Sequence, residues 1–251
     1  RYDSYEDQDG INQSTSVLPR VLPKGVGYTG LIHEQPEGHL PCYSVPLVAD
    51  HDGYLYTNKG ERNLPYLERA VREYPGDGYY QFQLASTLRN LKRLEESLPW
   101  FERFYEVTGR KETYRAGGVV LFLYTLLDLE TREHLDRAAQ IIEKEEPFLG
   151  GWSDFCFVCG LFYMKRVLSD VNRYIGLLPN IERCYLRCLS LGERPEAGGV
   201  VGTGSFKAAY NLGAWYEVSG QGEQALKYYK IAAEQGYGPA SERLREVMSS
   251  M

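Results

Sequence analysis

Two histidines of the sequence lie beside carboxylates and are the first candidates for chemistry. His33 is followed by Glu34, and His51 lies between two aspartates. A neutral imidazole can bind a divalent metal or transfer a proton, and a neighbouring carboxylate can act as a base or orient a hydroxyl group. The residues alone favour structural roles: a hydrogen-bonded pair at a strand end for His33 and Glu34, and a turn before Gly53 for His51. Position 37 is not a histidine, so the zinc-protease helix motif is excluded.

Four cysteines have a spacing that resembles a four-thiolate zinc site. They form Cys156-x-x-Cys159 and Cys184-x-x-x-Cys188. The alternative is core packing, because Cys behaves as a small apolar residue when buried. We favour packing for Cys159 and Cys188, which fall where closely packed helices need small side chains. With Cys42 the total is an odd number, and we expect no export signal. Both favour free thiols in a reducing cytoplasm.

Two glycine-rich stretches invite a phosphate-binding interpretation. Gly25-x-Gly27-x-x-Gly30 formally fits the dinucleotide fingerprint, but that motif needs a strand before it and a helix after it. Pro23 precedes it and a strand is predicted after it, so we reject this interpretation. Residues 199–205 lack the Gly-Lys-Ser/Thr core of a phosphate loop. Their amides, with the start of the next helix, could still hold an anion weakly.

Composition narrows the class of protein. The 251 residues are 43% hydrophobic and 25% charged, as in an ordinary globular protein. Acidic residues outnumber basic ones by 34 to 28, and no dense Lys/Arg run occurs, so nucleic acid is not an expected partner. The longest apolar stretch, residues 117–129, is too short to span a membrane. We expect a cytoplasmic protein without a membrane span.

The elements that must position these residues fall into two regions. Residues 1–57 contain Pro-rich and β-type segments at 17–23, 25–32 and 43–48, which predict short strands separated by turns. Residues 58–251 have helical periodicity, with short Gly or Pro turns between the helices. The predicted fold is therefore mainly α, with a small β segment (1–57) before a helical domain (58–251).

The helices follow a repeated pattern. The clearest unit has Leu212-Gly213, Tyr216, Gly220, Ala225, Tyr229 and Ala232. It resembles a tetratricopeptide repeat (TPR), a helix-turn-helix unit of about 34 residues that stacks into an α-solenoid. Small residues allow the paired helices to approach closely, and aromatic residues fill the space between them.

Weaker copies of the unit occur earlier in the chain. A divergent copy spans 113–146 and ends at Pro147. The residues that repeat the spacing in the other two copies are Leu84-Ala85, Leu88, Ser97, Phe101 and Phe104 in one, and Gly160, Tyr163, Tyr185 and Cys188 in the other. A half-unit with Leu67, Ala70 and Pro75 precedes them, so we expect about four hairpins plus this half-unit. Residues 168–180 and 193–204 are longer connections than tight turns, and long loops in repeat arrays often carry function. Some of the 21 tyrosines must fill inter-helix space and others could line a binding face.

Residues 17–34, with the sequence VLPRVLPKGVGYTGLIHE, resemble the closing strands of family 2 glycosyltransferases. In a bacterial subgroup of that family a "H-x-G-Y" turn follows, as in His51-Asp52-Gly53-Tyr54, and TPR repeats come next. The sequence GTGSFK at 202–207 is also similar to that subgroup. The resemblance identifies the chain as the C-terminal part of a bacterial family 2 glycosyltransferase that carries TPR repeats.

The resemblance implies that His33 and Glu34 border the transfer site and are the catalytic candidates, while the metal ligands are unknown. Asp7-Gln8-Asp9 formally matches the Asp-x-Asp metal motif of the family but lacks the apolar strand that precedes that motif. We therefore expect no cofactor in this chain, and a divalent metal and nucleotide sugar in a longer enzyme. The expected function is to present a protein or glycan acceptor without complete catalysis. The alternative is a TPR module that binds a protein or peptide and has no enzymatic activity.

Overall fold

A computed structural model of the chain describes residues 2–6, 13–17, 21–32, 35–38, 41, 43, 48–50, 59–194 and 199–249. Its strands are β1 (Tyr2–Glu6), β2 (Gln13–Val17), β3 (Tyr28–Thr29), β4 (Gln35–Pro36), β5 (Val48–Asp50) and β6 (Gly199–Val200). β1 pairs antiparallel with β2, with Tyr2 opposite Val17, and parallel with β5. β3 pairs antiparallel with β4. Short strands therefore precede the helices, as predicted.

The individual strands differ from the prediction. The sequence did not predict β1, and residues 21–27, predicted to be mostly extended strand, form an irregular segment with a turn instead. Pro23 lacks an amide hydrogen, and its carbonyl accepts a hydrogen bond from the Val26 amide at 3.2 Å. Gly25 has a φ of 92°, which favours a turn over a strand.

The helices form two compact units. The first unit holds the described residues up to Leu129 together with Gly199, and its helices are α1 (Lys59–Glu73), α2 (Gly78–Asn90), α3 (Leu94–Val107) and α4 (Arg115–Leu129). In its core, Leu67 and Ala70 of α1 pack with Leu84 and Leu88 of α2. The predicted leading half-unit is confirmed as α1, with Leu67 and Ala70 fully buried.

The second unit holds Glu130–Arg194 and the described residues from Val200 onward. Its helices are α5 (Arg132–Leu149), α6 (Ser153–Ser169), α7 (Val171–Tyr174), α8 (Leu178–Leu191), α9 (Phe206–Val218), α10 (Gly222–Glu234) and α11 (Gly238–Ser249). Helices α6 and α8 form one hairpin and α9 and α10 another. Ala209, Ala232 and Ala240 are fully buried where α9, α10 and α11 meet. The prediction of an almost entirely helical region is confirmed for the described residues.

Two hairpins use the same glycine-to-ring contact. A Cβ atom added to Gly213 would lie 2.8 Å from the ring of Tyr229, and one added to Gly160 would lie 2.7 Å from the ring of Tyr185. Real Cβ atoms do not approach other atoms so closely, so only glycine permits this spacing. These contacts, and the complete burial of Ala225, Ala232 and Cys188, confirm the predicted repeat register.

Two helix boundaries differ from the sequence prediction. Pro147 was expected to end its helix, but α5 continues to Leu149. The proline lies in the last turn, where it disrupts little of the remaining helix. The long connection expected over residues 168–180 is mostly helical, because α6 continues to Ser169 and α7 and a 3-10 turn at Ile175–Leu177 lead into α8. In the described part of the chain, no helix is long and apolar enough to cross a membrane.

Candidate binding face and anchored loop

The catalytic candidates His33 and Glu34 lie outside the described residues, and so do His51, Asp7 and Asp9. The residues just before them have defined contacts in the first unit. The Leu31 amide donates a hydrogen bond to the Tyr80 hydroxyl at 3.3 Å. Ile32 packs against the α1 and α2 core. Leu31 and Ile32 are therefore anchored on the first repeat helices.

The four cysteines of the second unit are buried, free thiols. Cys156 Sγ contacts the carbonyl oxygen of Gly150 at 3.5 Å, and Cys188 Sγ contacts that of Ser153 at 3.4 Å. Burial raises the pKa of the Cys159 thiol well above its usual value and that of Cys184 to about 12. The predicted packing role of Cys159 and Cys188 is confirmed by their burial.

The glycine-rich loop before α9 holds a carboxylate of this same chain. Glu193 Oε1 accepts hydrogen bonds from the amides of Gly202 at 3.1 Å and Gly204 at 3.0 Å, and from the Ser205 hydroxyl at 2.8 Å. Backbone amides near a helix start favour an anion. The prediction of weak anion affinity at 199–205 is therefore refined, because Glu193 is the anion that these groups bind.

A second carboxylate anchors the same loop to α6. Asp154 is buried, and its side chain accepts hydrogen bonds from the Val200 amide at 2.9 Å and from the Thr203 hydroxyl. Burial raises the pKa of Asp154, and nearby Glu193 adds to this effect. The two hydrogen bonds and nearby Lys207 act in the opposite direction. Residues 200–205 are thus held by two carboxylate acceptors, Asp154 and Glu193.

Partly exposed aromatic side chains lie together on the first unit. Tyr79 and Phe82 of α2 face Tyr114, which directly precedes α4. The rings of Tyr79 and Tyr114 are 5.1 Å apart in an edge-to-face arrangement, and those of Phe82 and Tyr114 are 5.9 Å apart and stacked. Phe82 also contacts buried Phe104 at 5.5 Å. We call Tyr79, Phe82 and Tyr114 the aromatic face.

Helix α2 continues this face with polar side chains. Ser86 and Arg89 follow Phe82 at helical spacings that keep them on the same side. Arg89 donates hydrogen bonds to Thr125 Oγ1 at 3.2 Å and to Asp128 Oδ2 at 2.6 Å, both on α4. The α2 and α4 surface therefore has rings at one end and a fixed ion pair at the other. Such a surface can bind an extended ligand by stacking and hydrogen bonding.

The structure separates the tyrosines that the sequence could not sort. In the second unit, Tyr185 and Tyr229 are almost fully buried between helices. The Tyr185 hydroxyl accepts a hydrogen bond from Asn211 at 3.3 Å, and the Tyr229 hydroxyl donates one to Glu217 at 2.7 Å. These rings have a packing role. The missed signal for the aromatic face was the i, i+3 spacing of Tyr79 and Phe82, whose partner Tyr114 is distant in sequence.

The described residues contain a single histidine and no cluster suited to a metal ion. No group of three or more His, Cys, Asp or Glu side chains suited to a metal occurs among them. His134, the histidine that the described ranges contain, has its Nδ1 atom 2.9 Å from the Thr131 hydroxyl at the start of α5. That contact accounts for His134 as a helix-end residue.

Comparisons with known proteins agree with this architecture. No protein-family model and no curated protein sequence matches the chain. Among solved structures, MamA (41-end) from Desulfovibrio magneticus RS-1 has a TM-score of 0.55 and 15% identity, covering 70% of this chain and 85% of that chain. The thermophilic TPR protein TTC0263 from Thermus thermophilus has a TM-score of 0.53 and 20% identity, covering 76% and 91%.

A third neighbour is YrrB, which is described as a TPR protein with an unusual peptide-binding site. It has a TM-score of 0.53 and 14% identity, covering 75% of this chain and 84% of that chain. Likenesses at such low identity establish the fold and nothing finer. Together with the repeated glycine-to-ring contacts, they show that this chain has the fold of TPR repeat proteins.

Proposed function

We propose that this chain is a repeat scaffold that binds a protein through an extended peptide segment, and that the aromatic face is the binding site. The partly exposed rings of Tyr79, Phe82 and Tyr114 carry this proposal. Aromatic side chains provide large contact areas at low entropic cost and are common at the centres of interfaces. The peptide-binding site ascribed to the neighbour YrrB supports the same function class.

Two side chains of this surface are held in place by contacts within the chain. Phe82 lies against buried Phe104, and Arg89 is held by Thr125 and Asp128. A face whose side chains are already held in place loses little conformational entropy on binding. This order of groups suits a segment that places an anchoring side chain near the rings and runs along α2.

A peptide selection tests this function. A display library of random dodecapeptides is selected on the wild-type chain, and enriched peptides are measured by fluorescence anisotropy. We expect Tyr79→Ser to weaken them by about tenfold, since a central aromatic contact contributes more than about 1 kcal/mol. Tyr66→Ser is the matched control, because Tyr66 on α1 is 56% exposed and lies outside the face. The proposal fails if no peptide is enriched, or if Tyr79→Ser binds as the wild type does.

Glycosyl transfer is a second proposed function, and it depends on the resemblance at residues 17–34. In that proposal, His33 and Glu34 border the donor and acceptor junction of a longer enzyme, which holds the divalent metal and nucleotide sugar. The anchoring of Leu31 and Ile32 on the first repeat helices supports it, since a repeat surface beside the junction could present an acceptor. The described residues offer no metal-binding set, so no catalytic step is assigned to a metal.

Two measurements test the transferase proposal. Calorimetry should find no tight nucleotide-sugar binding by this chain, because the proposal places the strands and helices that hold the diphosphate in the longer enzyme. In the longer enzyme, His33→Ala should lower kcat/KM by an amount that corresponds to about 2–4 kcal/mol of lost transition-state stabilisation. The Tm should change little. Tight binding by this chain would contradict the proposal that the donor site lies in a longer enzyme. An unchanged rate would assign His33 a structural role.

A further inference from the structure

Each ring of the Tyr79 and Tyr114 pair has an acidic residue two positions before it in the chain. Asp77 is the residue before α2, and its Oδ1 atom accepts a hydrogen bond from the Tyr79 amide at 2.8 Å. Glu112 lies two residues before Tyr114, and its carbonyl oxygen accepts a hydrogen bond from the Arg115 amide at 3.0 Å. Since the rings of Tyr79 and Tyr114 are 5.1 Å apart, the two acidic residues flank one ring pair.

The position of α2 depends on a close approach at its first residue. A Cβ atom on Gly78 would overlap the side chain of Thr108, so α2 can begin against the end of α3 only because residue 78 is glycine. Gly78 is buried, while Asp77 beside it is exposed. This packing holds the Asp77 and Tyr79 pair next to the loop that carries Glu112 and Tyr114.

The pKa of the Tyr114 hydroxyl agrees with the nearness of both carboxylates. Burial raises this pKa to about 12, and the charges of Glu112 and then Asp77 contribute to the increase. Carboxylates that oppose the formation of an anion at the Tyr114 hydroxyl favour a cation at the same place. The exposed parts of the rings add to this preference, because the face of an aromatic ring attracts positive charge.

The neighbouring cations shape the expected ligand. Arg110 and Lys111 lie in the same loop as Glu112, so the two carboxylates do not create a broad negative field. Their attraction acts at short range, where a single charge can contact the rings and carboxylates together. Arg115 is committed elsewhere, because it donates hydrogen bonds to the carbonyl oxygens of Tyr105 and Thr108. The arrangement favours one positioned cation over a polybasic tract.

We propose that the Tyr79 and Tyr114 ring pair, flanked by Asp77 and Glu112, binds a single lysine or arginine side chain of the partner segment. This inference depends on the proposed peptide-binding function and specifies its ligand. The cation lies over the ring faces and the carboxylates contact its charged end. An acidic peptide would meet two like charges at this position, and a neutral apolar side chain would leave them unused.

Peptide analogues test the inference without altering the protein. In the peptides enriched on the wild-type chain, each lysine is replaced by norleucine and each arginine by citrulline, which removes the charge and keeps the stem. Anisotropy at about 0.15 M salt should show one position at which this replacement weakens binding by about tenfold, as expected for a partly desolvated cation on aromatic rings beside carboxylates.

Variants of the chain locate the site. Asp77→Asn keeps an oxygen to accept from the Tyr79 amide and removes the charge, and Glu112→Gln removes the second charge. Each should weaken the charged peptide by about threefold, as expected for one exposed contact, and leave the norleucine or citrulline analogue unchanged. Glu95→Gln on α3 is the control, since Glu95 is exposed and outside the face. Tm values verify folding.

The outcomes separate the two proposals. If one charged position dominates and depends on Asp77 and Glu112, the inference is supported. If peptides bind with equal affinity after every charge replacement, the cation site is wrong and the peptide-binding function stands. If the charge matters but both variants bind as the wild type does, the cation lies elsewhere and the inference is wrong. If no peptide is enriched, both proposals fail.

Discussion

Gly213 is a residue whose identity follows from a single distance. Its Cα faces the ring of Tyr229 so closely that one additional carbon atom would overlap the ring. The Tyr229 hydroxyl donates to Glu217, which also binds Arg243 of α11. A ring with both its face and its hydroxyl fixed cannot easily move away from a larger neighbour. A larger side chain at position 213 would therefore strain the packing between α9, α10 and α11.

Gly213→Leu should reduce the free energy of unfolding by about 1–3 kcal/mol, because the added side chain overpacks the α9 and α10 contact. Urea denaturation measures this change. The matched control is Gly117→Leu on α4, where an added Cβ atom meets no other atom. That substitution should be neutral or stabilising by up to about 1 kcal/mol. Equal effects of the two substitutions would show that the Tyr229 contact does not limit the size of residue 213.

For individual residues, the sequence predicted packing positions but not the aromatic face. The positions of Gly213, Ala225 and Cys188 follow from one repeat pattern, and the structure confirms them. The aromatic face could not be predicted in the same way, because Tyr79 and Tyr114 are brought together by packing between repeats. Sequence spacing specifies neighbours within a helix, whereas this ring pair joins two elements.

Among the elements, the loop between α8 and α9 is held by two carboxylates with different environments. Glu193 is exposed and binds two amides and a hydroxyl, whereas Asp154 is buried and binds Val200 and Thr203. The buried acid is costly to ionise, and Lys207 offsets only part of that cost.

The Asp154 environment predicts a pH dependence. Its folded-state pKa is raised from the ordinary value of 3.8, so the folded state holds a proton that the unfolded state has already released. The contribution of Asp154 to stability should be most favourable below its ordinary pKa and should decrease as the pH rises through its folded pKa. Asp154→Asn removes this titration, and Asn keeps an oxygen that can accept a hydrogen bond.

Urea unfolding of the wild type and of Asp154→Asn over a pH series provides the measurement. The stability of the wild type relative to the variant should decline from acid toward neutral pH, while titrations common to both proteins cancel. A stability difference that does not change with pH would contradict the raised pKa.

The sequence predicted that this loop is long and could bind an anion, but it could not predict which anion. Glu193 is about ten residues before the amides that bind it, and no local motif links them. Helix α11 was also not predicted as a separate element. The role of Arg243 and Ala240 follows from contacts between helices. Arg243 pairs with Glu217 of α9, and Ala240 packs with the buried alanines of α9 and α10.

For the whole molecule, the repeat pattern was sufficient to predict the architecture. Each TPR-like unit repeats the same small and aromatic positions, so one clear unit at 211–232 made weaker units readable. The details that failed involve departures from the repeat: the helical insertion of α7 and the helix end at Leu149. The resemblance at 17–34 led toward a transferase, and its catalytic candidates His33 and Glu34 remain predictions.

The reactivity of the buried thiols of α6 and α8 measures local unfolding of the second unit. A thiol reacts with alkylating reagents as the thiolate, and burial raises the pKa of Cys159, Cys184 and Cys188. Each of these thiols therefore reacts appreciably only when its hairpin opens to water. The alkylation rate of these cysteines, measured by mass spectrometry of peptides from α6 and α8, therefore reports how often the second unit opens locally. The native chain needs no introduced label for this measurement.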